Sequence, residues 1–448
     1  MSRRLHALYC ATERAKRWFA GRFTPLGKVF VLICCLAAVF GINVQQTMIF
    51  QIFAIAAVLL GVSFVLSLRF RVPVRMHRHL PGTCVAGSTL YYRVECCNDS
   101  EKTIRGLSYA ESVPMTLPSH QTFVAARAED GRGRNFFDRR MGYHSWLRLL
   151  QKTEPVQTPE CVLPDIGSGK SQTVEVRLRP RQRGSIHFDG YRVIRRDPLG
   201  LCKRQIHQAD GANLLVLPRL YQVPNIVLHG GRKYHRGGIS GARNQGDSTE
   251  FLSLREYVHG DPIKHIDWKS TARTDRAIVK QYRDEYFCRY ALVLDSFTTA
   301  HYSTAFEEAV SVSASILLAQ DSVDAILDLL FVGDTCITCS AGSGVGGYRR
   351  MLEMLASVTT CRERSFAELA GLVKSHAALL SGVVLVLIDL DDGRLALINF
   401  LAARNIPVKI VVLVERREDV QSKVKALAPE SSFTIIEIDH VEEQLARL

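Results

Sequence analysis

Two uninterrupted apolar runs open the chain, 29–42 (VFVLICCLAAVFGI) and 48–68 (MIFQIFAIAAVLLGVSFVLSL), and neither contains a charged residue. The second is long enough to span a hydrocarbon core as a helix by itself. The first reaches across only if Pro25–Lys28 snorkels at one interface and Asn43 sits at the other. Between 72 and 220 the period changes to two. Short alternating runs recur at Thr89–Cys96, Gln172–Leu178, Ser185–Ile194 and Asn213–Leu217, punctuated by Pro81-Gly82, Asn98-Asp99 and Asp130-Gly131. This pattern predicts an antiparallel β-sandwich. The polar insert 126–160, with Arg132, Arg134, Arg139 and Arg140, reads as a solvated loop, a phosphate-binding arm being the alternative. Beyond Tyr290, strands alternate with helices: strands at Ala291–Leu294, Ala325–Val332, Val383–Asp389, Val408–Val414 and Phe433–Ile438, helices at Ser303–Gln320, Tyr348–Val358 and Gly393–Arg404. That alternation predicts an α/β doubly wound sheet with helices on both faces. The chain therefore divides into a multidomain order: basic N-terminus and helical hairpin (1–71), β-sandwich (72–220), linker and central segment (221–289), and α/β domain (290–448).

Charge orients the apolar runs. Lys and Arg number 57 against 44 Asp and Glu, a net charge of +13. Residues 1–28 hold seven basic residues and Glu13 alone; Arg69, Arg71, Arg75 and Arg78 follow the second run, and the connector Asn43–Thr47 is uncharged. Positive charge outside both ends and none between them predicts a hairpin with both termini in the cytoplasm. Membrane lipid then accounts for the basic excess, and no nucleic acid is expected, although the charge keeps a nucleic-acid-binding module as an alternative. The twelve cysteines form no disulfide framework, which fits a reducing compartment; Cys336-x-x-Cys339 reads as packed thiols.

The densest stretch is 246–288, where charged and aromatic residues interleave with apolar ones. Leu252–Val258 alternates as a strand, and Ala277–Tyr282 as a second. Gly260-Asp261-Pro262 reads as a helix start with Asp261 as N-cap, and Trp268 and Tyr257 as packing anchors. Arg255-Glu256-Tyr257, Gly260-Asp261, Ile266-Asp267-Trp268 and Ala272-Arg273 resemble the signature of the bacterial "domain of unknown function 58" family, with Lys264 where that family usually has arginine. Arg183-Gly184, Asp197-Pro198-Leu199-Gly200-Leu201 and Pro218-Arg219 add to the likeness. The resemblance implies a protein of the bacterial inner membrane whose partner is a MoxR-type AAA+ ATPase or another protein with a von Willebrand factor type A domain. It implies an adaptor with no catalytic residues, whose signature residues make contacts.

Other motifs bear on chemistry. Asp295-Ser296-Phe297-Thr298-Thr299 resembles the metal-ion-dependent adhesion site of von Willebrand type A domains, with Phe297 replacing one hydroxyl ligand. Asp295, Thr299 and Asp389 would offer hard oxygens to Mg²⁺, although a metal-free version of the fold is favoured and no cofactor is expected. Asp165–Ser171 (DIGSGKS) mimics a P-loop, but Pro164 stands where the first glycine belongs and a strand follows, so nucleotide binding is excluded there. Gly342-x-Gly344-x-x-Gly347 reads as a loop. Glu250, Glu256, Asp261 and Asp267 with His265, Arg255 and Arg273 admit a metal-dependent hydrolase as the alternative function, although their spacing shows no nucleophile–base pair.

Overall fold

The computed structural model describes residues 2–40, 47–68, 74–130, 136–224, 234–235, 251–282, 286–298, 303–320, 325–333, 335–341, 345–415, 417 and 433–447. The chain packs as two units, Met1–Arg219 and Leu220–Leu448, and the architecture is mixed α/β with several sheets.

The first unit begins with three helices, α1 (Ser2–Arg22), α2 (Pro25–Phe40) and α3 (Thr47–Leu68). Only the segment Met48–Leu68 among them is long and apolar enough to cross a bilayer; 11% of it is buried, unlike a core helix, and Pro25–Val39 is apolar but shorter. Helices α2 and α3 pack against each other, and their outer faces expose Leu32, Val39, Phe50, Ile55 and Val58.

The sandwich follows as β1 (Val74–His79), β2 (Thr83–Val85), β3 (Leu90–Asn98), β4 (Leu107–Ser112), then α4 (His120–Asp130), α5 (Phe136–Met141), α6 (Tyr143–Thr153), then β5 (Val156–Gln157), β6 (Cys161–Val162), β7 (Ser171–Pro180), β8 (Gly184–Arg196) and β9 (Lys203–Leu217). One sheet runs β1-β3-β7-β5, the other β2-β9-β8-β4-β6. Alternation sets the inward faces: Tyr92, Val94 and Cys96 of β3 meet Phe188 and Val193 of β8 in one core. Gly190 sits at a register shift between β8 and β9 with φ +153°, where a Cβ would lie 2.0 Å from the Gln208 carbonyl oxygen. Only glycine fits that bulge.

A charged network crosses this core. Glu111 of β4 is 2% exposed and accepts from the Tyr92 hydroxyl (2.6 Å), the Tyr109 hydroxyl (2.7 Å) and Arg78 Nη1 (2.6 Å). Arg78 also reaches Asp210 at 3.0 Å. Burial, reinforced by the Glu111 charge, holds both phenols protonated well above the ordinary tyrosine value.

The structure corrects the insert 126–160. It is largely helical rather than a solvated loop. Phe123, Ala126, Trp146 and Leu149 form a small core with Tyr9 of α1, whose ring stacks on Trp146 at 5.5 Å and whose hydroxyl donates to the Met141 carbonyl at 3.1 Å. These apolar positions have helical spacing, but the surface they cover lies more than a hundred residues upstream, so no local window reveals it.

The Asp197–Leu201 motif becomes a turn between β8 and β9. Asp197 Oδ2 accepts from the Leu199 amide (2.9 Å) and Oδ1 from the Cys202 amide (2.7 Å). The turn is fastened to the α1–α2 junction: the Thr24 amide donates to the Leu201 carbonyl (3.1 Å), the Thr24 hydroxyl to the Gly200 carbonyl (2.6 Å), and a Cβ on Gly27 would collide with that Leu201 oxygen. Arg204 donates to the Leu68 carbonyl at the end of α3. The P-loop mimic feeds β7, as its flanking residues predict.

The second unit contains β10 (Tyr234–His235), β11 (Phe251–Glu256), a 3₁₀ turn (Ile263–His265), α7 (Trp268–Thr274), β12 (Ile278–Tyr282), β13 (Tyr286–Leu294), α8 (Thr304–Ala319), β14 (Ala325–Val332), β15 (Cys336–Ala341), α9 (Val345–Ser357), α10 (Phe366–His376), β16 (Gly382–Leu387), α11 (Asp392–Ala403), β17 (Val408–Val414), β18 (Phe433–Glu437) and α12 (Val441–Leu445). The main sheet runs β15-β14-β13-β16-β17-β18, parallel except for β15, with β10 pairing β13. Its central strands are buried on both faces, β16 (GVVLVL) completely, as expected under helices on each side. Strand order reverses beside β13, so the crevice at the carboxyl ends of β13 and β16 is the topological switch point.

Candidate functional site

Two places in the second unit carry the residues singled out by sequence. The first is the signature module. Strands β11 and β12 pair antiparallel, with Arg255 opposite Val279 and Glu256 opposite Ile278. The connection between them carries Gly260 at φ +110°, a conformation that only glycine adopts without strain, then the 3₁₀ turn and α7. Asp261 does not cap a helix. Arg255 grips it with two bonds, Nη1 to Oδ2 and Nη2 to Oδ1, both 2.7 Å, and its Oδ2 also accepts from the Val258 amide at 2.9 Å. The Arg255 bond, then the Val258 amide, hold the Asp261 carboxyl below the ordinary carboxylate range. Pro262 leaves the chain extended, at ψ 125°, and the helix begins only at Trp268 with Asp267 as N-cap. Asp267 accepts from the Ser270 hydroxyl at 2.8 Å, and its amide donates to the Ile278 carbonyl at 2.8 Å, tying helix to strand.

The module thus uses its charges internally: Arg255 with Asp261, Arg276 with Glu256 at 2.7 Å, and Lys280 beside Asp267 at 3.9 Å. Among the described residues these carboxylates do not converge on one point, and no group of three metal-ligating side chains forms. Glu250 lies outside the described residues.

Val279 is buried, but several large apolar side chains face outward. Trp268 is 66% exposed, Ile263 70% and Val258 62%. Trp268 is therefore not the buried anchor its size suggested; α7, at seven residues, buries none of its side chains. Tyr257 is half-buried, and Arg273 is exposed.

The second place is the switch point. Asp295 follows β13 directly and is fully buried. Its Oδ1 accepts from the Phe297 amide (3.1 Å) and its Oδ2 from the Ile388 amide (3.3 Å) and Arg394 Nε (2.7 Å). Arg394 enters from the first turn of α11, where Asp391, the N-cap, accepts from its amide at 2.9 Å and from its Nη1 at 2.5 Å. The guanidinium lies over the Phe366 ring at 4.8 Å from the centroid, and Phe366 meets Phe297 edge-on at 5.8 Å. Burial raises the Asp295 carboxyl above its ordinary value, against the pull of Arg394 and the two amides. The guanidinium keeps its proton at any ordinary pH and donates to the carboxyl.

Asp295 and Asp389, the two described residues of the expected metal set, already have partners. A fixed cation already takes the Asp295 carboxylate, Phe297 supplies a ring where a hydroxyl would coordinate, and Asp389 is exposed, its Oδ1 accepting from the Leu390 amide at 2.7 Å. Thr299 lies outside the described residues, as do 342–344 of the glycine motif. Of the residues expected to hold Mg²⁺, Asp295 is held by Arg394, and Asp389 accepts from its neighbour's amide. Sequence reasoning passed over Arg394; the signal for it was a basic residue three positions after an N-cap aspartate at a strand end.

Comparison with known proteins adds the following. Residues 253–443 match the family described as "Protein of unknown function DUF58". The uncharacterized protein YeaD of Bacillus subtilis (strain 168) is 33% identical over 150 residues, which cover 33% of this chain and 36% of that one. The match thus spans about a third of the relative's length. Among solved structures, a Listeria innocua β-glucosidase shares 10% identity over 32% of this chain and 16% of its own, with a TM-score of 0.16. The Pseudomonas fluorescens alkylpurine DNA glycosylase AlkC shares 14% over 42% of each, with a TM-score of 0.19. Likeness at this level carries no argument about fold or function.

Proposed function

We propose that this protein is a membrane-anchored, non-enzymatic adaptor of the bacterial inner membrane, which uses the signature module to dock a MoxR-type AAA+ ATPase. In this reading α2 and α3 form a hairpin with both termini cytoplasmic, and the α/β unit is a metal-free relative of von Willebrand type A domains. The observation that carries it is the exposure of Trp268. A tryptophan left two-thirds in water, on a module that also exposes Ile263 and Val258, offers an aromatic anchor to a partner. The Asp295–Arg394 pair supports a rigid, metal-independent sheet beneath the recognition loops.

The test is co-purification of the full chain, solubilised in neutral detergent, with the MoxR-type ATPase of the same host. A complex that survives EDTA supports the reading. No ATPase recovered, together with Mg²⁺-dependent hydrolysis by the purified chain, overturns it. Topology is read separately at Cys336, which is exposed, whereas buried Cys202 would resist labelling in any topology. An impermeant thiol reagent should reach Cys336 only after permeabilisation.

A further inference from the structure

We infer that a basic cavity at the base of α2 holds the phosphate-bearing headgroup of an anionic membrane lipid. The cavity belongs to the first unit and measures about 1110 Å³. Eight of the side chains lining it are Lys or Arg and three are Glu. Two of those glutamates are already engaged: Glu111 with Arg78 and the two tyrosines, and Glu160 with Lys203 at 2.5 Å. Among the described residues Arg177, Arg179, Arg181 and Arg196 have no acidic partner. Like charges gathered around one space repel each other unless a counter-charge enters it.

Two lining arginines also carry unmatched N–H groups. Arg192 gives Nη1 to Gln205 and Nη2 to the Glu111 carbonyl, both at 3.3 Å, yet its Nε is buried with no acceptor among the described residues. Arg17 gives Nε to Glu13 at 3.2 Å, and its Nη2 is likewise buried without an acceptor. Both residues line the cavity. Burying a charged N–H without an acceptor is costly, and a small turn of either side chain toward a phosphate in the cavity would supply one.

The position selects the source of the phosphate. Pro25 and Lys28, in the first turn of apolar α2, also line the cavity, and the Asp197–Leu201 turn fixes this junction to the sandwich. A headgroup beside a membrane-inserted α2 would lie at this height. The inference rests on the membrane-anchored reading, so the experiment separates the two.

The full chain is placed in nanodiscs of phosphatidylcholine with and without phosphatidylglycerol, and lipid retained after release is counted by native mass spectrometry. Alkaline carbonate extraction of cell membranes reports insertion independently. Selective retention of phosphatidylglycerol is expected, falling roughly thirtyfold in Arg179→Gln/Arg181→Gln, where both side chains are exposed and folding is spared. Arg192→Gln should lower it too, with thermal unfolding checked in parallel. A carbonate-resistant chain that retains both lipids equally, or whose selectivity survives the double variant, overturns the inference while leaving the anchor intact. A chain extracted by carbonate overturns the anchor and the lipid assignment together. Calorimetric binding of inorganic pyrophosphate with no lipid selectivity overturns the lipid source and assigns the cavity to a soluble phosphate.

Discussion

Asp261 and Asp295 both meet an arginine at 2.7 Å, and the two pairs differ in how far water reaches them. In the signature module the Asp261 and Arg255 side chains retain 12% and 31% of their exposure; at the switch point those of Asp295 and Arg394 retain 0% and 5%. Water and salt screen the first pair, so it shapes a turn more than it stabilises the fold. The second pair is nearly dry, and losing either member strands a charge away from water. The same pair of residue types therefore does different work: one pair arranges a surface, and the other closes a crevice that this sheet topology otherwise leaves open to ligands.

Breaking the buried pair should have the largest effect. Arg394→Leu is expected to destabilise the second unit by about 3–5 kcal/mol, read by denaturant unfolding. Adding Asp295→Asn should recover part of the loss, since it removes the stranded charge while its one amide oxygen keeps one of the two backbone donors, Phe297 or Ile388. Failure of the second change to recover stability would mean that Arg394 acts through its packing on Phe366.

The sandwich offers a second test of the same contrast. Glu111→Ala strips the acceptor from Arg78, Tyr92 and Tyr109, and a loss of about 3–5 kcal/mol in the first unit is expected on the same measurement. Trp268→Ala should change stability by less than about 0.5 kcal/mol, because an exposed ring has little burial to lose.

The smallest effect sharpens the comparison by pH. Arg255 depresses the carboxyl of Asp261. Its contribution to the module is therefore complete above the unfolded carboxylate value, about 3.9, and is lost as pH falls through the lower folded value. An NMR titration of the Asp261 carboxyl should show a depressed midpoint that returns upward in Arg255→Gln. An unchanged midpoint would mean that the Val258 amide alone sets it.

Periodicity made much of the fold legible. Runs of period two marked the sandwich strands, and the Val383–Asp389 and Val408–Val414 runs marked strands buried on both faces, because each pattern reports its own local environment. The helical insert was hidden, since the residues covering Phe123 and Trp146 sit in α1. The site was legible in its letters but not in its exposure. A large aromatic next to an N-cap reads as a core residue, and only the tertiary fold shows that α7 is too short to bury Trp268. The Arg394 partner of Asp295 was hidden for a related reason: it lies 99 residues away in sequence.

The central claim, that the signature module is a docking surface, is tested most directly by titrating the purified MoxR-type ATPase against the full chain and its Trp268→Ala variant. The account predicts that the variant binds at least about thirtyfold more weakly, as expected for a central anchor worth 2 kcal/mol or more, while unfolding at the wild-type temperature. Equal affinities for the two proteins would contradict it.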